Sequence, residues 1–184
     1  MKKKLCEFEY ALGRYCGATL ARIKPSSLFS LDLSHLSRLY EMQENLEKIG
    51  IRFAILRICN SKARLFIYNQ KQLSSLLFRK EIKEFLYEYG YNYNDVDDAI
   101  SQLKDKFNQY CFPHEVGVFL GYDLEDVKGF INNSSGAHIL CGHWKVYSNP
   151  KEKAKLFERY KRCTKNICNR LENGQSLKEI FKMA

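Results

Sequence analysis

Two β-rich runs separated by a short polar connection most constrain what this chain can fold into. The runs are IRFAILRI (51–58) and ARLFIYN (63–69), with Cys59-Asn60-Ser61-Lys62 between them. β-Branched and aromatic residues favour strands, so this arrangement predicts a β-hairpin. The first run is apolar enough to predict a central strand. A third β-like run, AHILCGHWKVY (137–147), follows much later in the chain.

Helical periodicity dominates the rest of the chain. Apolar residues recur at helical spacing over 34–49, 70–89, 94–110, 151–171 and 176–182. Ser34 is expected to cap the first of these helices and Gly50 to end it. The pattern predicts a helix-rich α+β fold with a small, mostly antiparallel sheet. Because no linker or repeat interrupts the 184 residues, we expect one globular domain over 1–184.

Charge and cysteine content limit the partners and the location. The net charge of +9 suits nucleic acid, anionic lipid or an acidic partner, and much of it lies in KEKAKLFERYKRCTK (151–165). Alternatively, these basic residues form a solvent-exposed helix face that binds no partner. No apolar run approaches the roughly 18 residues that cross a bilayer, so we expect no membrane partner. The seven cysteines form no Cys-x-x-Cys pair, which favours reduced thiols and a cytoplasmic location.

The segment FPHEVGVFLGYDLEDVKGFI (112–131) predicts two short helices that meet at Gly121. Glycine adopts the left-handed conformation that ends a helix, and Asp123 can cap the next one. A helix-turn-helix DNA reader is one interpretation of this corner. Its reading helix would meet phosphate with Glu125 and Asp126, however, and acid there repels DNA. We therefore predict a packed corner and no sequence-specific DNA binding.

The same segment places His114 beside Glu115. Imidazole titrates near neutral pH, and the helix dipole favours an ionised carboxylate at a helix start, so the two residues can form an acid–base pair. The alternative is structural: Pro113 starts the helix, and Glu115 only complements its N-terminus.

His138, Cys141 and His143 are of the residue types that bind zinc or iron. Successive side chains of a strand point to opposite faces, so Cys141 and His143 would share one side and His138 the other. A bulge at Gly142 would change that. If the strand is regular, the three side chains cannot converge on one ion, and we therefore predict no metal site.

Three motifs together resemble a known family. They are the 112–131 segment, GHWKVY (142–147) and YCGATLARIKPSSLF (15–29). They are similar to those of a family of small bacterial proteins, mostly from anaerobes, which is classed as a domain of unknown function. The resemblance spans nearly the whole chain, and it implies no established activity.

One family motif is altered in this chain. The family usually has His-Cys-x-Pro-Thr-Leu, and Cys16 with Thr19-Leu20 matches it. Tyr15 stands in place of the histidine and Ala18 in place of the proline. This chain therefore departs from the family motif at two of its positions.

The leading functional hypothesis is a small-molecule or cofactor site where these motifs converge, with a cofactor that the residues do not identify. A cysteine near a histidine can act as a thiolate nucleophile, whereas a free cysteine can equally be an inert buried thiol. The predicted catalytic residues are Cys16, His114 and Glu115, and the predicted ligand-binding residues are Tyr122, Trp144, Lys145 and Tyr147.

The alternative hypothesis is a non-enzymatic binding or regulatory protein. It would use the basic helix or the helix-turn-helix-like corner to hold nucleic acid or an acidic protein. A concave pocket that holds Cys16 and His114 would favour the first hypothesis, and a flat basic face would favour the second.

Overall fold

A three-stranded antiparallel sheet forms the centre of the molecule in the computed structural model, which describes residues 6–109, 112–132 and 136–183. Its strands are β1 (Ser26–Asp32), β2 (Ile51–Cys59) and β3 (Lys62–Asn69), in the order β1-β3-β2. Phe66 of β3 pairs with Leu28 on one side and with Ala54 on the other. The predicted hairpin of β2 and β3 is confirmed. Its two turn residues have positive φ angles, as the right-handed twist of a tight hairpin favours.

The prediction that the first β-rich run is the central strand is wrong. β3 occupies the centre, and β2 lies at an edge with a bulge between Ile55 and Arg57. β1, which had no predicted counterpart, covers the other edge of β3. Because both faces of β3 are covered, Leu65, Phe66 and Ile67 are fully buried.

Ten α-helices surround the sheet within the described residues. They are α1 (Glu7–Leu20), α2 (Leu36–Glu41), α3 (Gln43–Lys48), α4 (Gln70–Leu77), α5 (Lys80–Glu88), α6 (Val96–Gln109), α7 (Val116–Phe119), α8 (Leu124–Asn132), α9 (Pro150–Glu172) and α10 (Leu177–Phe181). A short 3-10 turn (Leu33–His35) precedes α2. The helix-rich α+β class with small antiparallel sheets is thereby confirmed.

The predicted helices exist, but two of them are interrupted. The helix expected over 34–49 divides at Met42. Ser34 does not cap it but lies in the 3-10 turn before α2, and Asp32 caps that turn by accepting a hydrogen bond from the Ser34 amide at 3.0 Å. Gly50 ends the helical stretch as predicted, with φ of +72°. The helix expected over 70–89 divides between α4 and α5. The helix expected over 94–110 begins at Val96, and Tyr110 lies outside the described residues.

The run predicted as a third strand forms a small separate hairpin. Only β4 (Leu140–Cys141) and β5 (Lys145–Val146) are paired, antiparallel to each other. Gly142 and His143 turn the chain between them, so the regular alternation of a single long strand does not apply.

Two core clusters pack on the two faces of the sheet. Phe66, Tyr68 and Leu56 contribute to one, together with residues of α4 to α8. Leu65 and Ile67 contribute to the other, together with α1, α9 and α10. A third, smaller cluster joins α1, the β4–β5 hairpin and α9; its buried members are Ala18, Trp144, Val146, Phe157 and Tyr160.

Candidate functional site

The corner between α7 and α8 is built as the sequence predicts. Gly121 lies between the two helices with φ of +74°. Its amide donates to the Val118 carbonyl, and the Tyr122 amide donates to the Gly117 carbonyl, both at 2.9 Å. A β-carbon on Gly117 would lie only 2.9 Å from Val127, so the small residue lets the two helices approach closely.

Asp126 joins this corner to the β4–β5 hairpin. Its carboxylate accepts hydrogen bonds from Trp144 Nε1 at 2.8 Å, from the Tyr147 amide at 2.8 Å and from the Ser148 amide at 3.0 Å. Asp126 is 1 % exposed. The proposed repulsion of DNA phosphate by Asp126 therefore needs correction, because this carboxylate is turned inward and its acceptor sites are used within the protein. The absence of sequence-specific DNA binding stays a prediction.

Aromatic rings pack where the corner meets the hairpin. Tyr122 and Trp144 are stacked, with ring centroids 4.4 Å apart and planes inclined by 20°. Phe157 of α9 meets the Trp144 ring edge to face at 4.5 Å. Such contacts, together with the Asp126 hydrogen bonds, hold the indole in one orientation.

A cavity of about 330 Å³ opens beside this ring stack. We call it the aromatic cavity. It is lined by Phe112, His114, Val116, Gly117, Leu120, Tyr122, Asp126, Val127, Phe130, Cys141, His143, Trp144 and Lys145. The lining is mostly apolar with a few polar groups, which is the usual composition of a small-molecule site.

The polar groups of the aromatic cavity come from three elements. His114 is exposed, and its ring meets Phe130 of α8 at 5.1 Å, nearly perpendicular. Lys145 of β5 places its ammonium 5.6 Å from the centre of the same Phe130 ring. His143 comes from the hairpin turn. Partial burial, with a smaller contribution from the charge of Lys24, lowers the pKa of His143 and favours its neutral form.

The aromatic cavity contains four of the seven predicted site residues, which are His114, Tyr122, Trp144 and Lys145. It also includes Phe130 and His143, which the sequence analysis did not select. His143 belongs to the GHWKVY motif, so its position in that motif was a usable signal. Phe130 likewise lies in the 112–131 motif, but its residue type did not single it out, because an aromatic residue on an amphipathic helix usually belongs to the core.

Glu115 points away from its neighbour His114. It is 6 % exposed, is not part of the cavity lining, and accepts a hydrogen bond from the Tyr91 hydroxyl at 3.2 Å. Burial, and then the negative charge of Glu115, raise the pKa of Tyr91 far above its ordinary value. Glu115 and His114 therefore do not form an acid–base pair in this cavity, and the expected pairing is corrected.

Tyr147 is also outside the cavity lining. Its ring packs against α8 at Gly129, where a β-carbon would lie 2.6 Å from the ring. Its amide is one of the Asp126 donors. The structure thus places Tyr147 at the joint between the hairpin and the corner, where it positions the cavity wall.

Cys16 is a core residue and not a partly open thiol, which corrects the expectation of one shared Cys16–His114 site. It is 0 % exposed, packs in the cluster of α1, α9 and α10, and is not part of the aromatic cavity. Burial raises the pKa of the Cys16 thiol well above its usual range, and the opposing effect of the Lys24 charge is smaller. Its neighbour Tyr15 is 55 % exposed.

A second, wider groove of about 830 Å³ lies between α1, the β4–β5 hairpin and α9. Tyr15, Arg14 and Lys165 contribute to its lining, and so do the acids Glu158 and Glu172. Lys161 pairs with Glu158 at 3.6 Å, and Tyr10 donates to Glu172 at 3.0 Å. The mixed charges of this groove favour no single class of ligand.

The described residues contain neither a metal-binding cluster nor a membrane-spanning helix. Within 6–109, 112–132 and 136–183, no group of three or more His, Cys, Asp or Glu side chains is arranged to hold a metal ion. Cys141 and His143 both line the aromatic cavity, whereas His138 does not. In the same ranges no helix has the length and apolarity required to span a bilayer.

These features define an α+β protein with an aromatic cavity between a helical corner and a small hairpin. A family model described as "Protein of unknown function (DUF3793)" matches residues 12–181, and the chain belongs to this family. The resemblance to a family of unknown function is therefore confirmed. No curated protein and no solved structure matches the chain.

The buried position of Cys16 predicts a clear order of thiol reactivity. Under native conditions at pH 8, Cys59 and Cys141, which are exposed, should react with iodoacetamide at least about tenfold faster than Cys16, because only an accessible thiolate is nucleophilic. Peptide mapping after timed labelling measures the rates, and labelling in urea provides the fully exposed reference. Native labelling of Cys16 as fast as that of Cys59 would contradict the buried position.

Proposed function

We propose that this protein binds a small, planar, anionic molecule in the aromatic cavity. The observation that carries the proposal is the cavity itself, a concave site of about 330 Å³ at the junction of two sequence motifs. Pockets that hold small molecules typically measure about 300–1,000 Å³.

The walls support a planar ligand. Tyr122 and Trp144 form one rigid stacked wall, and Phe130 contributes a further ring. Flat aromatic side chains provide large contact areas at little conformational cost, and they favour ligands that stack or meet them edge to face.

The charges support an anionic ligand. Lys145 brings an ammonium group to the lining, and His114 brings an exposed imidazole. Asp126 is the acidic residue of the lining, and its carboxylate is already engaged by Trp144 and by the backbone of the hairpin. A negative group of a ligand would therefore meet donors and positive charge rather than repulsion.

The other predicted site residues have supporting roles in this proposal. Glu115 anchors the start of the corner through Tyr91, Tyr147 fixes the hairpin against α8, and Cys16 fills the core. His114, Tyr122, Trp144 and Lys145 are the residues proposed to contact the ligand.

A matched pair of dyes tests the proposal. 8-Anilinonaphthalene-1-sulfonate is an aromatic anion, and N-phenyl-1-naphthylamine is the same ring system without the sulfonate. Trp144 is the single tryptophan of the chain, so its fluorescence reports on the cavity wall. We expect the anionic dye to quench Trp144 and to bind at least about fivefold more tightly than the neutral one, since one partly desolvated charge contact contributes about 1 kcal/mol.

Two variants and a control connect the dye to the cavity. Lys145→Met and His114→Gln should each weaken binding of the anionic dye several-fold while leaving the neutral dye unaffected. Lys178→Met removes an exposed charge on α10 and should leave the binding of both dyes unchanged. Equal affinity for the two dyes, or binding insensitive to both cavity variants, would refute the proposed anionic ligand. Native mass spectrometry of freshly purified protein additionally shows whether a molecule co-purifies.

The alternative function, a basic helix that holds nucleic acid or an acidic partner, depends on α9. Its exposed cations Lys151, Lys155, Arg159 and Arg162 recur every three or four residues and so share one face. The aromatic side chains Phe157 and Tyr160 of this helix are buried, so this face offers charge without rings for bases to stack on. The cavity is the more specific feature, and we propose its function first.

A further inference from the structure

β2 lies at one edge of the sheet, and a groove of about 420 Å³ follows that edge. We call it the edge groove. α6 borders it on one side, and α2 and α3 border it on the other. Residues 51 to 55 of β2 all contribute to the lining. Because successive side chains of a strand point to opposite faces, a groove that contacts all of these residues must run along the backbone of the strand.

The hydrogen-bond register shows which backbone groups face the edge groove. The Asn69 amide of β3 donates toward β1, to the Pro25 carbonyl, at 2.8 Å. Backbone groups alternate between the two sides of a strand, so every second residue of β3 before Asn69 also bonds toward β1. The residues of β2 opposite these are Phe53 and Ile55. The N–H and C=O groups of Phe53 and Ile55 therefore point away from β3, into the edge groove.

The stretch that carries these groups is accessible and limited in length. Phe53, Ala54 and Ile55 are half-buried, unlike the fully buried residues opposite them in β3. A bulge after Ile55 then bends the strand. An open edge of this kind is a template for a further strand. A segment of about five residues, roughly 17 Å long, matches residues 51 to 55.

Basic side chains line the side of the edge groove that faces α6. They are Arg52 of β2 and Lys104 of α6. Arg52 lies 3.5 Å from Asp97, and the two side chains are 47 % and 66 % exposed, so water weakens their pairing. The lining on this side is therefore positively charged and favours an acidic residue.

The opposite side of the edge groove is aromatic. Tyr40 of α2 and Phe53 of β2 meet nearly edge to face, with ring centroids 5.5 Å apart. Tyr40 is 54 % exposed, so its ring offers an accessible apolar surface. Glu47 of α3 also lines this side, and its carboxylate already accepts a hydrogen bond from the Gln43 side chain at 2.9 Å. This side favours an apolar residue.

We propose that the edge groove binds an extended peptide of a partner protein, in which acidic and apolar residues alternate and which adds to β2 as an antiparallel strand. The strand pairs of this sheet are antiparallel, and antiparallel ladders are the more stable kind. Alternate side chains of the added strand point to the two sides of the groove. Acidic residues would meet Arg52 and Lys104, and apolar residues would pack on Tyr40 and Phe53. Among the described residues, the edge groove and the aromatic cavity have separate linings, so this inference is independent of the proposed small-molecule ligand.

A second copy of this chain fits the edge groove less well. If two β2 strands paired antiparallel about a two-fold axis, the same patch of each copy would face the other. Arg52 and Lys104 of both copies would then lie on one side of the joined sheet, where like charges repel.

Amide hydrogen exchange measured by NMR tests the direction of the backbone groups. In the free protein, the amides of Phe53 and Ile55 should exchange at least about tenfold faster than those of Arg52 and Ala54, which bond to β3. A seven-residue peptide of alternating glutamate and valine should slow exchange at Phe53 and Ile55, while Arg52 and Ala54 change little. Equal protection of the four amides in the free protein would show that the edge is closed and would overturn the proposal.

Two N-methylated peptides separate backbone pairing from side-chain contacts. In an antiparallel pair, the residues that exchange hydrogen bonds have side chains on the same face. The valines, which share the face of Phe53, should therefore carry the bonds to β2. N-methylation of the valines should weaken binding to the unaltered protein at least about tenfold, whereas N-methylation of the glutamates should weaken it less than about threefold. Equal affinities for the two N-methylated peptides would contradict strand addition.

A charge reversal tests the basic side of the edge groove. Lys104→Glu should weaken binding of the glutamate–valine peptide several-fold and strengthen that of a lysine–valine peptide. Lys178→Glu, an exposed position on α10, should alter neither affinity. Equal effects of the two variants would refute the acidic partner. Sedimentation velocity tests the competing occupant: a dimer of the free protein that the glutamate–valine peptide dissociates would assign the edge to a second copy and overturn the proposal.

Discussion

Replacing Asp126 with asparagine is expected to lower the free energy of unfolding by about 3 kcal/mol. The carboxylate accepts hydrogen bonds from Trp144 Nε1 and from the amides of Tyr147 and Ser148, in a nearly solvent-free position. Hydrogen bonds to a buried charged acceptor contribute about 1.5–3 kcal/mol each, and neutral ones about half of that. In addition, the asparagine side-chain NH₂ would face one of these donors, which would lose its acceptor.

The neighbouring acid provides a matched control for this variant. Glu125 also lies in the first turn of α8, but it is exposed and pairs with Lys128 only at 3.9 Å. Glu125→Gln removes the same charge from the same helix end, and its cost should stay within about 1 kcal/mol. The comparison therefore isolates the buried hydrogen bonds from the effect of the helix dipole.

Urea and thermal unfolding measure the difference between these variants. For a chain of this size about 3 kcal/mol corresponds to a decrease in Tm of roughly 6–12 °C. The emission of Trp144 should also shift to longer wavelength in Asp126→Asn, because the indole loses its acceptor and the hairpin loosens. Equal unfolding midpoints for Asp126→Asn and Glu125→Gln would show that Asp126 does not hold the hairpin in place.

The parts of the fold that the sequence predicted well are those with local signals. The β2–β3 hairpin, the end of a helix at Gly50 and the turn at Gly121 each depend on residues that are close in the chain. The amphipathic pattern of α9 likewise requires only its own apolar spacing. In such segments propensity, periodicity and turn chemistry agree with one another, and the local pattern determines the structure.

The unpredicted elements depend on distant partners. α1 contains Gly13 and Gly17, which lower helix propensity, yet both are required because β-carbons there would lie within 3 Å of Leu171 and Ile167 of α9. β1 contains two buried serines. The Ser27 hydroxyl lies 2.8 Å from that of Thr19, an interaction that only the folded chain provides. Because β1 was not predicted, β3 could not be recognised as the central strand of the sheet.

The candidate site, too, was predicted only in part, because the sequence identifies motifs but not the contacts between distant residues. Motif membership led to four cavity residues but also selected Cys16 and Glu115, whose side chains point into the core. Sequence position does not tell which side of a short turn or helix faces a cavity. His114 and Glu115 are neighbours in the chain, yet one is exposed and the other is buried against Tyr91. The sequence specifies the residue types, but it does not show the direction in which each side chain points.

Gly121→Ala is expected to destabilise the protein by about 2–5 kcal/mol through two separable effects. The first is the positive φ of +74°, which costs a residue with a β-carbon about 1–2 kcal/mol. The second is steric, because the new β-carbon would lie 2.8 Å from Pro25 Cδ and closer still to Pro25 Cγ. Overpacking of this kind costs about 1–3 kcal/mol.

Two further glycines separate these effects. Gly50 and Gly90 have φ angles of +72° and +79°, and β-carbons on them would meet other residues only at 3.9 Å. Gly50→Ala and Gly90→Ala should therefore show the conformational cost alone, about 1–2 kcal/mol each. Urea unfolding of the three variants gives the comparison, with the excess for Gly121→Ala assigned to the contact with Pro25.

A double-mutant cycle then tests the contact itself. If Pro25 is the obstacle, Pro25→Ala should recover at least about 1 kcal/mol in the Gly121→Ala background relative to its effect in the parent, because neighbouring residues are not additive. In the corresponding cycle of Pro25→Ala with Gly90→Ala, the two changes in the free energy of unfolding should be additive. If Gly121→Ala costs no more than Gly90→Ala, or if its cycle with Pro25→Ala is additive, then the α1–β1 turn is not packed against the corner.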